Sequence, residues 1–170
     1  WNGSVPAGIT VVGAPPDLLA QLNQDYSISL YLYHVEEDKH RKNMPAPSGN
    51  NPPVRFREMG LNLYYLMTAY GGRDGNRSYE REQRLMGIAL KAFHDYPILD
   101  ANTQIGTGPD PFVFPADLRS DGDELRLVLH PATHEDLNKL WTATTVPMRL
   151  STIYQVSVVL LEAERPAAQP

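Results

Sequence analysis

The sequence predicts a single α+β domain in which one mixed, mostly antiparallel β-sheet packs against flanking helices. Three observations support this prediction. The chain has 170 residues, which is the length of one domain. Segments that alternate with the period of a β-strand are interrupted by shorter segments with helical periodicity. The predicted order is β, short α, β, β, α, β, α, β, and one sheet with helices on its surface accommodates that order.

Composition excludes several classes of protein. There are no cysteines, so disulfides, thiolate metal sites and a cysteine nucleophile are excluded. Net charge is −5 and no basic stripe is visible, which argues against nucleic acid as a partner. No run of 18 apolar residues occurs, so we expect no membrane span.

The first predicted elements lie before residue 36. Residues 8–13, GITVVG, predict a short strand bounded by glycines. The following prolines and Asp17 predict the start of a short helix, DLLAQL. Residues 26–35, YSISLYLYHV, alternate with Ile and Leu on one face and mainly Tyr on the other. Because both faces are apolar, this strand is expected to be central or covered on both sides.

The window 61–70, LNLYYLMTAY, is the most apolar and aromatic part of the chain, and periodicity alone leaves it open between helix and strand. Leu, Met and Ala favour a helix, whereas Tyr and Thr favour a strand. Gly60 precedes the window where a helix would need an N-cap residue. The aromatic pattern also resembles that of residues 26–35, as neighbouring strands often do. Both observations favour a strand.

Residues 78–94 predict the longest helix. Ser78 is the expected N-cap, with Glu80 and Glu82 in the first turn. An apolar stripe follows at helical spacing, and Pro97 ends the helix.

The last elements are a strand, a short helix and a strand. ELRLVLH, residues 124–130, predicts the first strand, and Thr133 with Asp136 predicts a capping box. The helix after it is expected to bury one face, made of Leu137, Leu140 and Trp141. Residues 151–164 predict the final strand, with two apolar faces.

Two long segments without periodicity, 36–57 and 100–123, are interpreted as arms. The domain is expected to span residues 1–164, with 165–170 as a C-terminal tail.

The motifs that could carry chemistry are weak. His130 and His134 have metal-like i,i+4 spacing, but Pro131 separates them and no third ligand is evident. SDGDE, residues 120–124, lacks the spacing of a calcium loop. His94–Asp95 has no marked nucleophile with it. We therefore expect no catalytic residue, no cofactor and no metal. Apolar, tyrosine-rich strands with two arms are typical of an assembly subunit rather than an enzyme.

Five stretches, taken in order, resemble one known family. They are SLYLYHV at 29–35, RKN at 41–43, GLNLYYLMTAYGG at 60–72, RLMGIALKAFHDYPIL at 84–99 and LNKLWTATTVPMRLSTIYQVSVVLLE at 137–162. They are similar to the cap, or tube-terminator, proteins of extracellular contractile injection systems, which are bacterial phage tail-like particles. The sequence departs from the family pattern at three places, namely His34, the inserted Lys42 and Met148.

The resemblance implies a structural, non-enzymatic protein with a tail-terminator-like fold. Members form a hexameric ring at the distal end of the particle, where they terminate the inner tube and anchor the last sheath ring. The implied partners are further copies of the chain, the inner tube protein and the sheath protein. The implied location is the bacterial cytoplasm during assembly, within a particle that can be released. The family's N-terminal helix would precede Trp1.

The sheath contact, the alternative functions and the candidate contact residues complete the predictions from the sequence. An edge strand at 8–13 is the expected place for a sheath strand to pair. The alternative functions are another phage-tail-like terminator, a neck or adaptor subunit, or a small-molecule-binding domain or enzyme. The candidate assembly contacts are Arg41, Asn43, Arg55, Arg57, Arg73, Arg77, Phe112, Phe114 and Arg149.

Overall fold

The computed structural model describes residues 8–21, 26–42, 59–72, 76–105, 108, 111–114 and 124–161. The strands are β1 (Thr10–Val12), β2 (Ser27–Glu37), β3 (Met59–Tyr70), β4 (Ile98–Asp100), β5 (Glu124–His130) and β6 (Ser151–Leu161). The helices are α1 (Lys39–Lys42), α2 (Asn76–Asp95) and α3 (His134–Thr142), with a 3₁₀ helix at Pro16–Gln21.

The strands form one six-stranded sheet in the order β1-β2-β3-β6-β5-β4. β1 pairs with β2 in parallel, Val11 opposite Ile28, whereas β4 pairs with β5 in antiparallel fashion, Leu99 opposite Leu125. The sheet is therefore mixed, and with its helices it confirms the predicted α+β class. β1 lies at one end of the order, as expected for the strand at 8–13. The domain limits of 1–164 stay a prediction.

The described chain divides into two compact units. The first contains the described residues within 1–34, 64–97 and 127–155, and the second contains the described residues within 35–63, 98–126 and 156–170.

The window 61–70 is a strand, as predicted, and it occupies an inner position in the sheet. Leu66 is 3% exposed and its neighbours up to Tyr70 are also buried, whereas Leu63 is half-buried. The window is thus mainly scaffold. The tyrosines and leucines of this strand stabilise the sheet because both of its faces are covered near its C-terminal end.

One face of the sheet in the first unit packs against α2. Ile28, Met67 and Tyr154 contribute from three strands, and Leu85 and Ala89 contribute from the helix. The apolar stripe of α2 therefore faces the sheet as its helical spacing predicts. Phe93 packs edge-to-face on Tyr154, with ring centroids 4.8 Å apart.

The opposite face lies against α3 and the 3₁₀ helix, whose residues line a groove together with Tyr31, Tyr33 and Leu66. The predicted capping box is present, because the Thr133 hydroxyl accepts from the Asp136 N–H at 3.2 Å and Asp136 accepts from the Thr133 N–H at 3.0 Å. The predicted buried face of α3 is only partly right. Trp141 is buried, whereas the other two residues of the predicted face, Leu137 and Leu140, are half-buried.

The predicted start of α2 was wrong. The helix begins at Asn76, so Ser78 lies inside it and is buried rather than acting as its N-cap. The Ser78 carbonyl reaches close to Gly71, where an added Cβ would meet that oxygen at 2.1 Å and the Arg81 Cβ at 2.8 Å. Gly71 therefore permits the close approach of the end of β3 to the first turn of α2.

β2 lies between β1 and β3 in the sheet, as expected of a central strand. Only its start, around Ser27–Ser29, is buried, whereas Leu32 and Val35 are exposed, because the core contacts of the strand come from its first half. In the predicted arm 36–57, the first two residues belong to β2 and Lys39–Lys42 form α1. Residues 43–57 lie outside the described part. The segment 100–123 is preceded by β4, a three-residue strand too short for periodicity to reveal.

Candidate assembly surfaces

Five of the predicted contact residues have no described side chain. Asn43, Arg55, Arg57 and Arg73 lie outside the described residues, and Arg77 lies in α2 without a described side chain. Their assignment as contacts stays a prediction.

Arg41 is exposed on α1, and local hydrogen bonds fix this helix. The Arg41 N–H donates to Asp38 Oδ1 at 2.8 Å, and the Asn62 side chain donates to Asp38 Oδ2 at 3.2 Å. The pKa of Asp38 is lowered mainly by the hydrogen bond from the Arg41 N–H. Burial of the carboxylate acts in the opposite direction, and the hydrogen bond from Asn62 lowers the pKa further. A Cβ at Gly60 would lie 3.0 Å from the Arg41 Cδ, so the side chain crosses the Gly60 backbone closely.

The surroundings of Arg41 leave its charge available. Lys39 pairs with Glu36 at 2.8 Å and Lys42 with Glu37 at 2.5 Å. Within the described part of the chain, Arg41 has no acidic partner. The end of β2 and α1 therefore present the exposed guanidinium of Arg41 beside two lysines that are paired with glutamates, while the nearby Asp38 is held by hydrogen bonds.

Phe112 and Phe114 lie in an ordered piece of the second arm, and both are half-buried. Phe112 forms an antiparallel bridge with Gln104, and the Ile105 N–H donates to the Pro111 carbonyl at 2.7 Å. Within the predicted arm, the described residues on either side of this bridge therefore pair with each other, and Ile105 among them is exposed to solvent.

Asp100 anchors the start of this paired segment. The Thr103 hydroxyl donates to Asp100 Oδ1 at 2.7 Å, and the Asn102 N–H donates to the same oxygen at 3.0 Å. These bonds, led by that of Thr103, lower the pKa of Asp100.

Arg149 has partners inside the first unit. It donates to Glu82 Oε1 at 2.6 Å, and its guanidinium carbon lies 4.7 Å from the centre of the Tyr70 ring. The Glu82 side chain is 5% exposed and that of Arg149 is 27% exposed. This arrangement gives Arg149 a structural role, because a nearly buried carboxylate requires a paired cation.

Two exposed apolar patches, which the sequence did not reveal, lie near the two ends of α2. We call the first the N-terminal patch, defined by the exposed residues Tyr79, Pro147, Met148 and Leu150, which line a cavity of about 440 Å³ together with the polar side chains Glu82, Gln83 and Arg149. We call the second the C-terminal groove, a cavity of about 330 Å³ defined by Leu90, Phe93, His94, Pro97, Leu127, Leu129 and Tyr154. The sequence does contain one signal for the N-terminal patch, because Tyr79 is an aromatic residue that falls outside the apolar stripe of α2.

The histidine motif does not assemble into a metal centre in the described residues. His130 ends β5 and His134 begins α3. His130 packs on Tyr64 instead, edge-to-face at 5.3 Å. Across the described ranges, no three side chains of His, Cys, Asp or Glu are grouped as metal ligands would be. In the same ranges, no helix combines the length and apolar character needed to cross a membrane.

Comparison with known proteins decides the family. A family model described as the Pvc16 N-terminal domain matches residues 3–170. The chain belongs to this family. The resemblance seen in the five sequence stretches is thereby confirmed. No curated protein matches the chain.

Two solved structures share the fold of this Pvc16 N-terminal domain. One is the sheath/tube terminator of an extracellular contractile injection system, PVC, in its extended state, with 19% identity and a TM-score of 0.58. The match covers 98% of this chain and 54% of that one. The other is the tube-terminating cap of the anti-feeding prophage, with 20% identity, a TM-score of 0.55, and coverage of 98% and 53%. The chain thus spans about half the length of the solved chains that it matches.

Proposed function

We propose that this protein is a structural cap subunit of a contractile injection system. It forms a ring at the distal end of the particle, ends the inner tube, anchors the last sheath ring, and has no enzymatic activity. Its partners are copies of itself, the tube protein and the sheath protein. It assembles in the bacterial cytoplasm into a particle that acts outside the cell.

The observation that carries the proposal is the match over 98% of the chain to two proteins described as a tube terminator and a tube-terminating cap. The surface chemistry is compatible with it. Exposed apolar patches bounded by polar residues are typical of protein–protein contacts. A cap ends polymerisation because it offers a complementary surface to the tube on one side only.

Among the described strands, β1 lies at one end of the sheet order, and this position supports the proposed sheath contact. The Thr10 N–H donates to the Tyr26 carbonyl at 3.0 Å, so by strand alternation the amide of Val11 points away from β2. Val11 is also exposed. An extended sheath segment could pair there, because an edge strand offers unpaired backbone groups.

Imaging of particles from a strain that lacks this protein tests the proposal. We expect tubes of irregular length and sheaths that detach, and complementation with the unaltered gene should restore both. Particles of normal length with intact ends would exclude a terminator. Shortened but properly ended tubes that no longer join another component would indicate a neck or adaptor subunit instead.

Point variants in the same strain test the two surfaces separately. Val11→Pro removes the outward amide and should loosen the sheath without changing tube length, whereas Val11→Thr retains the amide and should behave as the unaltered protein. Arg41→Glu reverses the exposed charge of α1 and should weaken capping. Arg126→Glu is the matched control, since Arg126 is an exposed cation that already has a partner, Glu124 at 2.8 Å.

A further inference from the structure

The groove beside α3 contains a carboxylate without a partner. We call it the tyrosine groove, a cavity of about 420 Å³ whose lining includes Pro16, Asp17, Tyr31, Tyr33, Leu66 and Leu140. Asp17 belongs to the 3₁₀ helix, and its Oδ1 is enclosed by the protein yet has no hydrogen-bond partner among the described residues. Asp17 as a whole is half-buried, so its carboxylate can be reached from the groove. A carboxylate that has lost water without gaining a partner is expected to bind a cation.

The charges around Asp17 leave it uncompensated. Lys139 also lines the groove, but it pairs with Glu135 at 2.9 Å and its side chain is 70% exposed. This pair is neutral as a whole, so the negative charge of Asp17 remains. Burial is the first cause that raises the pKa of Tyr33. Water is therefore partly excluded at the tyrosine side of the groove, where an ion pair is stronger than in bulk water.

The walls of the groove suit an arginine better than a lysine. A guanidinium stacks on aromatic rings such as those of Tyr31 and Tyr33 and donates several hydrogen bonds to a carboxylate, whereas an ammonium holds its water more tightly. The protein already contains this arrangement once. Arg149 donates to the Glu82 carboxylate at 2.6 Å while its guanidinium lies 4.7 Å from the centre of the Tyr70 ring.

Arg41 has the opposite deficiency. It is exposed on α1 and has no acidic partner within the described ranges, whereas Arg126 and Arg149 each pair with a glutamate. The Arg41 N–H donates to Asp38 at 2.8 Å, so the backbone that carries this guanidinium is held in place. Every copy of the chain presents both Arg41 and Asp17. A contact between copies therefore compensates both charges, while a different partner in the groove leaves Arg41 uncompensated.

We propose that the tyrosine groove binds Arg41 of a second copy of this chain. The guanidinium pairs with Asp17 and lies against the tyrosines, and the apolar stem of the arginine covers the leucines of the groove. The contact is heterologous, so each copy uses α1 on one neighbour and its groove on the other, and repetition of the contact can close a ring. This inference rests on the proposed ring, and it assigns the surfaces that hold neighbouring subunits together.

Charge reversal tests the contact in sedimentation velocity experiments. Asp17→Arg alone and Arg41→Glu alone should each weaken self-association about 30-fold or more, because every contact then joins like charges. An equal mixture of the two variants should associate again, since subunits that alternate around the ring join opposite charges at every contact. The chain that carries both changes should likewise associate. Arg126→Glu, which reverses an exposed arginine that is already paired, is the matched control and should have no effect.

A smaller change provides a second measurement. Asp17→Asn removes the charge and keeps the size of the side chain, so it should weaken self-association about tenfold or more. It should also reduce the dependence of self-association on salt, because the screened ion pair is gone. Glu80→Gln removes one negative charge from an exposed position on α2, outside the groove, and should change neither quantity.

The outcomes separate this contact from the proposed ring. Self-association that is unchanged by Asp17→Asn and by Arg41→Glu would overturn the contact and leave the ring in place. Weakening by Arg41→Glu that Asp17→Asn does not share would assign Arg41 to another surface and overturn the role of the groove. Asp17→Asn that weakens binding of purified tube or sheath protein, but not self-association, would place one of those proteins in the groove instead. Unaltered protein that stays monomeric and does not bind tubes would overturn both proposals.

Discussion

The ion pair between Arg149 and Glu82 is the interaction whose removal should affect folding most clearly. Arg149→Met removes the cation and leaves the Glu82 carboxylate, 5% exposed, without its 2.6 Å partner. The stacking of the guanidinium on Tyr70 is lost as well. Breaking a buried pair from one side costs about 3–5 kcal/mol. Because Arg149 is 27% exposed, water can enter after its removal, so we expect the lower end, about 3 kcal/mol.

Thermal and urea unfolding followed by circular dichroism measure this loss. About 3 kcal/mol corresponds to a fall in Tm of about 6–12 °C for a chain of this size. The double variant Glu82→Leu/Arg149→Met removes both charges and should lie within about 1 kcal/mol of the unaltered protein. Arg126→Met, which breaks an exposed pair, is the control and should change stability by less than about 0.5 kcal/mol.

Two results would refute this reasoning. One is a loss below about 1 kcal/mol for Arg149→Met, which would place Glu82 in a hydrated environment. The other is a double variant as unstable as the single one, which would mean that packing of the arginine side chain, rather than its charge, stabilises the fold.

Three further predictions concern individual positions. Leu66→Ala should cost about 2–5 kcal/mol in urea unfolding, since Leu66 is 3% exposed in an inner strand; a loss below that range would show that the site collapses readily. Gly71→Ala should destabilise more than Gly60→Ala, because a Cβ at Gly71 would meet the Ser78 backbone oxygen at 2.1 Å, whereas a Cβ at Gly60 would meet side-chain atoms of Val158 and Arg41 at 2.9 and 3.0 Å; the reverse order of urea midpoints would contradict this. Hydrogen bonds from the Thr133 hydroxyl, then from its N–H, lower the pKa of Asp136. The stability they confer is present above the unfolded pKa of about 3.9 and is lost as the pH falls through the folded pKa. Asp136→Asn should therefore flatten the decline of the urea midpoint between about pH 5 and pH 2, and an unchanged decline would exclude this role.

The candidate contacts show that residue type alone does not predict whether an arginine is exposed or paired. Arg41 and Arg149 are both arginines in loop-like sequence, yet the first is exposed without an acidic partner among the described residues and the second holds Glu82. The difference depends on a residue 67 positions away in the chain. Tyr79 was not selected because a single aromatic on the polar side of a helix carries no pattern, and its meaning depends on what surrounds it in space.

The sequence by itself determined the α+β class, the strand nature of residues 61–70, the capping box at Thr133 and the resemblance to the Pvc16 N-terminal domain family. These features depend on local periodicity, on hydrogen bonds between residues three apart, or on motifs in a fixed order, and all of these can be observed in the sequence itself. Only the tertiary structure decided the strand order, the brief β4, the true start of α2 and the two patches at its ends. Those depend on which distant segments approach one another, and neighbouring residues do not encode that.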